Sequence, residues 1–205
     1  MNDRALALDP PALMNRNSAL SLPNLLTYGR IVAIPAILML LFVGADWARW
    51  TAMVLFVIAS LTDFLDGWIA RAWQLGSTLG QVLDPIADKL LVAACLLMLV
   101  ADGTISGWSV WAAIVILSRE ILVSGLREFL AGLQVGMPVT QLAKFKTAIQ
   151  MVALGFLLAG PAGDHVFAYT TTVGLILLWL AALVTMYTGF DYLKAGFRHF
   201  VAKDV

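Results

Sequence analysis

The sequence predicts an all-α polytopic membrane protein, with six transmembrane helices and both termini cytoplasmic. Three observations carry this. The 205 residues are 61% hydrophobic and 13% charged, against roughly 45–50% apolar and about 25% charged in soluble domains. The apolar residues gather in six runs, most of them close to the ~20 residues that cross a ~30 Å hydrocarbon layer. The basic residues fall almost entirely on one side of those runs, and short loops rich in Lys and Arg stay in the cytoplasm.

The first run covers about residues 25–43 and is closed by Gly44-Ala45-Asp46. The second spans about 50–71 and the third about 81–101, before Asp102-Gly103. The fourth begins near Ser106, stays apolar through Val115-Ile116-Leu117 and then carries Arg119, Glu120 and Arg127. The fifth covers about 147–158, ended by Gly160-Pro161, and the sixth about 166–186, before Tyr187-Thr188-Gly189. Arg4, Arg16, Arg30, Arg71, Lys89, Arg127, Lys144, Lys146, Lys194, Arg198 and Lys203 fall on one side, Arg49 alone on the other. An even number of spans follows, and both ends are expected in the cytoplasm. The expected organisation is an interfacial N-terminal segment (1–24), a single membrane domain (25–190) and a cytoplasmic tail (191–205). No basic start feeds directly into an apolar stretch with a small-residue cleavage site, so the first span is expected to be retained.

Composition narrows the chemistry. A net charge of zero lacks the basic face of a nucleic-acid binder. One cysteine makes no internal disulfide, and two histidines leave no Cys/His zinc pattern. Any metal would have to be held by carboxylates.

Ionisable residues inside membrane spans are costly and mark function, and four aspartates fall within 26 residues here. Asp63, Asp66, Gly67, Ala70 and Arg71 stand at offsets 0, 3, 4, 7 and 8, one face of a helix. Gly80, Asp84 and Asp88, at offsets 0, 4 and 8, form a second stripe. A short connection over about 72–79 allows the two stripes to face each other. Four carboxylates at close quarters require neutralising cations. Two hard divalent ions with oxygen ligands match that charge and commonly clamp a phosphate or diphosphate. Gly67, Ala70 and Gly80 leave room for a bulky group, and Arg71 suits a phosphate. The alternative is a set of acids solvated at the membrane boundary, with Asp66 and Arg71 as a local ion pair.

The pattern Asp63-x2-Asp66-Gly67-x2-Ala70-Arg71-x8-Gly80-x3-Asp84-x3-Asp88 resembles the complete signature of the CDP-alcohol phosphatidyltransferases. Six spans with cytoplasmic termini also resemble that family's architecture. The resemblance implies that Asp63, Asp66 and Asp84 bind two divalent cations, Mg²⁺ or Mn²⁺. It makes Asp88 the general base and a further metal contact, and Gly67, Ala70, Arg71 and Gly80 part of the CDP site. A homodimer and a bacterial inner-membrane location, with the active site on the cytoplasmic side, are implied in the same way.

The acceptor alcohol is set by more local features. Arg119, Glu120, Val123 and Arg127 share a helical face, while Lys144-Phe145-Lys146-Thr147 opens span five with Gln150 four residues beyond Lys146. Arg119, Arg127, Lys144 and Lys146 suit a second anionic group, most simply a phosphomonoester. Anchoring to anionic lipid is the alternative for Arg127, Lys144 and Lys146. These stretches, together with Pro23-Asn24-x-Leu26-Thr27-x2-Arg30, resemble the branch that accepts sn-glycerol 3-phosphate, the phosphatidylglycerophosphate synthases, although Ala143 stands where a glycine is common. The branch implies CDP-diacylglycerol and sn-glycerol 3-phosphate as substrates, with Asn24 and Thr27 as CDP-binding residues in contact with the nucleotide; an N-terminal helix cap is the alternative for Asn24. Inositol phosphate or serine as acceptor, and a small cation transporter, are the competing functions. Asp102, Asp164 and His165 are expected to be solvated in external loops.

Overall fold

Long apolar stretches in a solvent that cannot satisfy backbone N–H and C=O groups must close their hydrogen bonds internally, which selects helices. The computed structural model describes the backbone over 22–73, 78–132 and 141–201, and side chains over 25–62, 83–130, 132, 142 and 144–190. Within those residues there are six helices: α1 Leu22–Val43, α2 Asp46–Trp73, α3 Thr78–Ala101, α4 Ser109–Gly132, α5 Gln141–Asp164 and α6 Thr170–Val201. Stretches of α1, α4, α5 and α6 (Leu25–Val43, Ser109–Leu130, Lys144–Asp164 and Thr170–Phe190) are long and apolar enough to cross a membrane.

The connections follow the sequence signals. Gly44, at φ 71°, ends α1 in the left-handed conformation, with its N–H donating to Leu41 O at 3.1 Å. Lys144 and Lys146 lie inside α5, which begins at Gln141 and so extends further N-terminally than the apolar run. The last helix continues past the expected end of span six near residue 186, through Gly189 to Val201. Nothing between Tyr187 and Val201 breaks a helix as proline would, and the two glycines there, Gly189 and Gly196, cost only about 1 kcal/mol each.

The first helix packs against both α2 and α3, the two that carry the aspartates. The fifth packs against α6 and α2, and α6 also against α4. Close approach of α5 and α6 depends on small residues, for a Cβ on Gly174 would meet Leu157 at 2.8 Å. The core, including Ile37, Phe56, Leu91, Leu99, Ile116, Leu154 and Leu178, runs through the middle of the bundle. Phe42, Met39 and Val32 on α1 and Leu183 and Phe190 on α6 are exposed, as helices facing lipid require.

One end of the bundle is held by a buried ion pair that hydropathy gave no sign of. Arg49 of α2 donates to Asp102, just after α3, and to Thr104 Oγ1 at 3.0 Å and Leu158 O at 3.4 Å. Asp102 is therefore not a freely solvated loop residue; its side chain is 13% exposed and also accepts from Thr104 N at 2.8 Å. The kink in α5 at Gly160 makes room for it: a Cβ there would lie 2.8 Å from Arg49 Nη1, and the glycine has φ 43°. Asp164 and His165 are exposed as expected, but each has a partner, Thr171 Oγ1 at 2.6 Å and Asp46 at 2.9 Å respectively.

Candidate active site

At the opposite end of the bundle, α3 presents Asp84 and Asp88 one turn apart on the same face. Pro85, between them, has no N–H, so the helix lacks one backbone hydrogen bond at that turn. On α1, Thr27 and Arg30 are also a turn apart and meet those two acids in register. The Thr27 hydroxyl donates to Asp84 Oδ1, and Arg30 Nη1 lies 3.4 Å from Asp88 Oδ1. Pairing 27 with 84 and 30 with 88 means that α1 and α3 run in the same direction. The Arg30 side chain is fully buried, whereas Asp88 keeps 38% of its side chain accessible.

Residues 63–73 continue α2 as a helix, so the backbone places positions 63, 66, 67, 70 and 71 on one face. The side chains of Asn24, Asp63, Asp66, Gly67, Ala70, Arg71 and Gly80 lie outside the described residues, as does the connection at 74–77. Among the described residues no group of three or more His, Cys, Asp or Glu side chains could hold a metal. The donors that are described fit a hard divalent cation in kind, since Asp84 and Asp88 offer carboxylate oxygens on adjacent turns and a polar partner orients each of them.

The cations expected near an acceptor phosphate separate into two kinds. Lys146 is buried, with 3% of its side chain exposed, and bonds Glu120 across the α4–α5 gap. Arg119 joins the same glutamate at 3.8 Å and donates to Thr188 Oγ1 on α6 at 3.2 Å. Gly189 lets its aliphatic stem pass, for a Cβ there would sit 3.1 Å from Arg119 Cγ. Gln150, one turn beyond Lys146, is buried, and its Oε1 has no hydrogen-bond partner among the described residues. Arg127 and Lys144 are exposed at the rim. Lys89 of α3 donates to Ser124 on α4 and lies 4.0 Å from Glu128, joining the carboxylate helix to the cationic one.

Several of these relations had weak signals in sequence. In the sequence Arg30 marks topology and closes the Pro23–Arg30 motif, on one face with Thr27, but its contact with Asp88 shows only when α1 is seen beside α3. Glu120 reads as a neighbour of Arg119, and only packing makes it the partner of Lys146.

A groove of about 460 Å³ opens between α2 and α5. Trp50, Met53, Val57 and Leu61 line one wall and Val152 and Phe156 the other. Its inner end, at Leu61, is two residues from Asp63.

An apolar helical bundle with acids on adjacent turns of one helix, a partly buried Arg119–Glu120–Lys146 cluster on neighbouring helices and an apolar groove fits a membrane-associated enzyme that handles anionic, lipid-linked groups. The CDP-alcohol phosphatidyltransferase family profile matches residues 20–187, and the chain belongs to that family. It is accordingly a transferase, and dependence on a divalent metal is general in the family. The chain is 47% identical over 180 residues to the CDP-diacylglycerol–glycerol-3-phosphate 3-phosphatidyltransferase of Rickettsia bellii, covering 88% of this chain and 97% of that one. Proteins of the same name from Cereibacter sphaeroides and Shigella flexneri serotype 5b are each 36% identical, covering 85% and 86% of this chain and 94% of theirs.

Proposed function

We propose that this protein transfers the phosphatidyl group of CDP-diacylglycerol to sn-glycerol 3-phosphate, forming phosphatidylglycerophosphate and releasing CMP. The observation that carries the reading is the pair Asp84 and Asp88, on one face of α3 and oriented by α1, within a complete four-aspartate family signature. The named activity of relatives matched along nearly their whole length selects the acceptor.

In this reading Asp63, Asp66, Asp84 and Asp88 hold two divalent cations, Mg²⁺ or Mn²⁺. Bound there, the ions supply charge neutralisation for the diphosphate and the leaving group. Asn24, Gly67, Ala70, Arg71 and Gly80 seat the CDP moiety, while Thr27, buried against Asp84, supports the nucleotide site through that carboxylate. Asp88 takes the proton of the acceptor hydroxyl, the oxygen attacks the phosphorus bearing diacylglycerol, and the bond from that phosphorus to the CMP oxygen breaks. Arg119, Arg127, Lys144 and Lys146 hold the acceptor phosphate; against Glu120 they leave a surplus of positive charge.

The diacylglycerol chains lie in the α2–α5 groove, whose apolar wall on α2 runs about 17 Å along the helix from Leu61 to Trp50. All six helices cross the membrane, with both termini and the active site on the cytoplasmic side of a bacterial inner membrane. The concentration of Lys and Arg at the carboxylate end supports this orientation. A homodimer completes the proposal, supported by the family resemblance.

The test is CMP release by detergent-solubilised protein. Release is expected only when CDP-diacylglycerol, sn-glycerol 3-phosphate and a divalent ion are all present. Turnover with inositol phosphate or serine but not with glycerol phosphate overturns the acceptor assignment.

A further inference from the structure

A fully buried arginine in an otherwise apolar helix calls for a reason, because desolvating a guanidinium costs several kcal/mol unless a counter-charge is placed against it. Arg30 meets Asp88, and one turn earlier Thr27 meets Asp84. Both contacts come from α1, which also packs against α2. A carboxylate is loosely held about its terminal torsion, whereas metal ions need their oxygens in defined directions. Gripping each carboxylate from α1, while 38% of the Asp88 side chain remains accessible, fixes the acids without closing the site.

We propose that α1 is a carboxylate clamp: Thr27 and Arg30 are positioning residues that orient Asp84 and Asp88, and thereby set metal affinity and turnover without touching the reacting atoms. The inference rests on the reading of these aspartates as metal ligands and base. Partners of this kind typically control metal affinity or activity by about 10–100-fold.

The test uses the full-length protein in detergent, with Mn²⁺ binding followed by electron paramagnetic resonance alongside CMP release. Thr27→Val keeps the shape and removes only the hydroxyl; it is expected to weaken Mn²⁺ binding by about tenfold or more, and Thr27→Ser should restore it. Arg30→Lys keeps the charge but loses the planar fork, and is expected to lower kcat by about tenfold or more with the KM for CDP-diacylglycerol nearly unchanged. Wild-type Mn²⁺ affinity in Thr27→Val, or failure of Thr27→Ser to restore it, overturns the clamp. A wild-type protein that binds Mn²⁺ yet releases no CMP with glycerol phosphate overturns the acceptor reading instead, and leaves the clamp to be judged on Mn²⁺ affinity.

Discussion

Replacing Lys146 with methionine separates a phosphate-binding role from a structural one. The side chain is buried and bonded to Glu120, so the variant removes a charge-assisted hydrogen bond between α4 and α5. Glu120 is not orphaned, because Arg119 remains 3.8 Å away. The stability cost is therefore expected below the 3–5 kcal/mol typical of an abandoned buried charge, nearer the ~1.5–3 kcal/mol of a hydrogen bond to a charged group. If Lys146 also holds the acceptor phosphate, a loss of the same size appears in acceptor affinity. At about 1.4 kcal/mol per factor of ten, the KM for sn-glycerol 3-phosphate should rise roughly 10- to 100-fold. The KM for CDP-diacylglycerol should not move. Initial rates of CMP release across glycerol phosphate concentrations, at saturating CDP-lipid, read the first quantity, and thermal unfolding in detergent reads the second. An unchanged acceptor KM with a lowered unfolding temperature would refute the reasoning and leave Lys146 as an interhelical ion pair alone.

Other perturbations probe other parts of the molecule. Asp88→Asn should lower kcat by about 10²- to 10⁴-fold, the usual worth of a positioned general base, while CDP-diacylglycerol still binds in a filtration assay; substantial turnover removes Asp88 from that role. Arg49→Met, at the far end of the bundle, removes the counter-charge of Asp102, which keeps only the N–H of Thr104, and the guanidinium donor to Leu158 O. It should destabilise by about 3 kcal/mol with kcat for the remaining folded protein unchanged, and a specific fall in kcat would show that the two ends are coupled. Gly155→Leu places a side chain in the α2–α5 groove, where a Cβ meets nothing within 4 Å. The KM for long-chain CDP-diacylglycerol should rise more than that for a short-chain analogue, and equal effects on both would move the acyl chains elsewhere.

Composition and spacing made the helical class, the breaks after Val43 and Ala101 and the aspartate pattern legible, because each rests on local physics. An apolar run must satisfy its own backbone, Gly44 can take the left-handed turn that ends α1, and residues four apart share a helical face. Within the candidate site, Asp84 and Asp88 on adjacent turns of α3 follow from spacing alone.

What only the tertiary structure decided was which charges meet. Residues 27 and 84, 30 and 88, 49 and 102, and 120 and 146 are joined by packing of separate helices. No periodicity encodes these pairings, because they depend on the direction and axial register of neighbouring helices. Hydropathy could therefore assign Arg49 and Asp102 only to an outer end, and Lys146 only to a cytoplasmic edge. In the folded chain the first two form a buried clasp and the third lies inside the bundle. A charge that cannot reach water needs a partner within a few ångströms, and only the fold determines which helix supplies it.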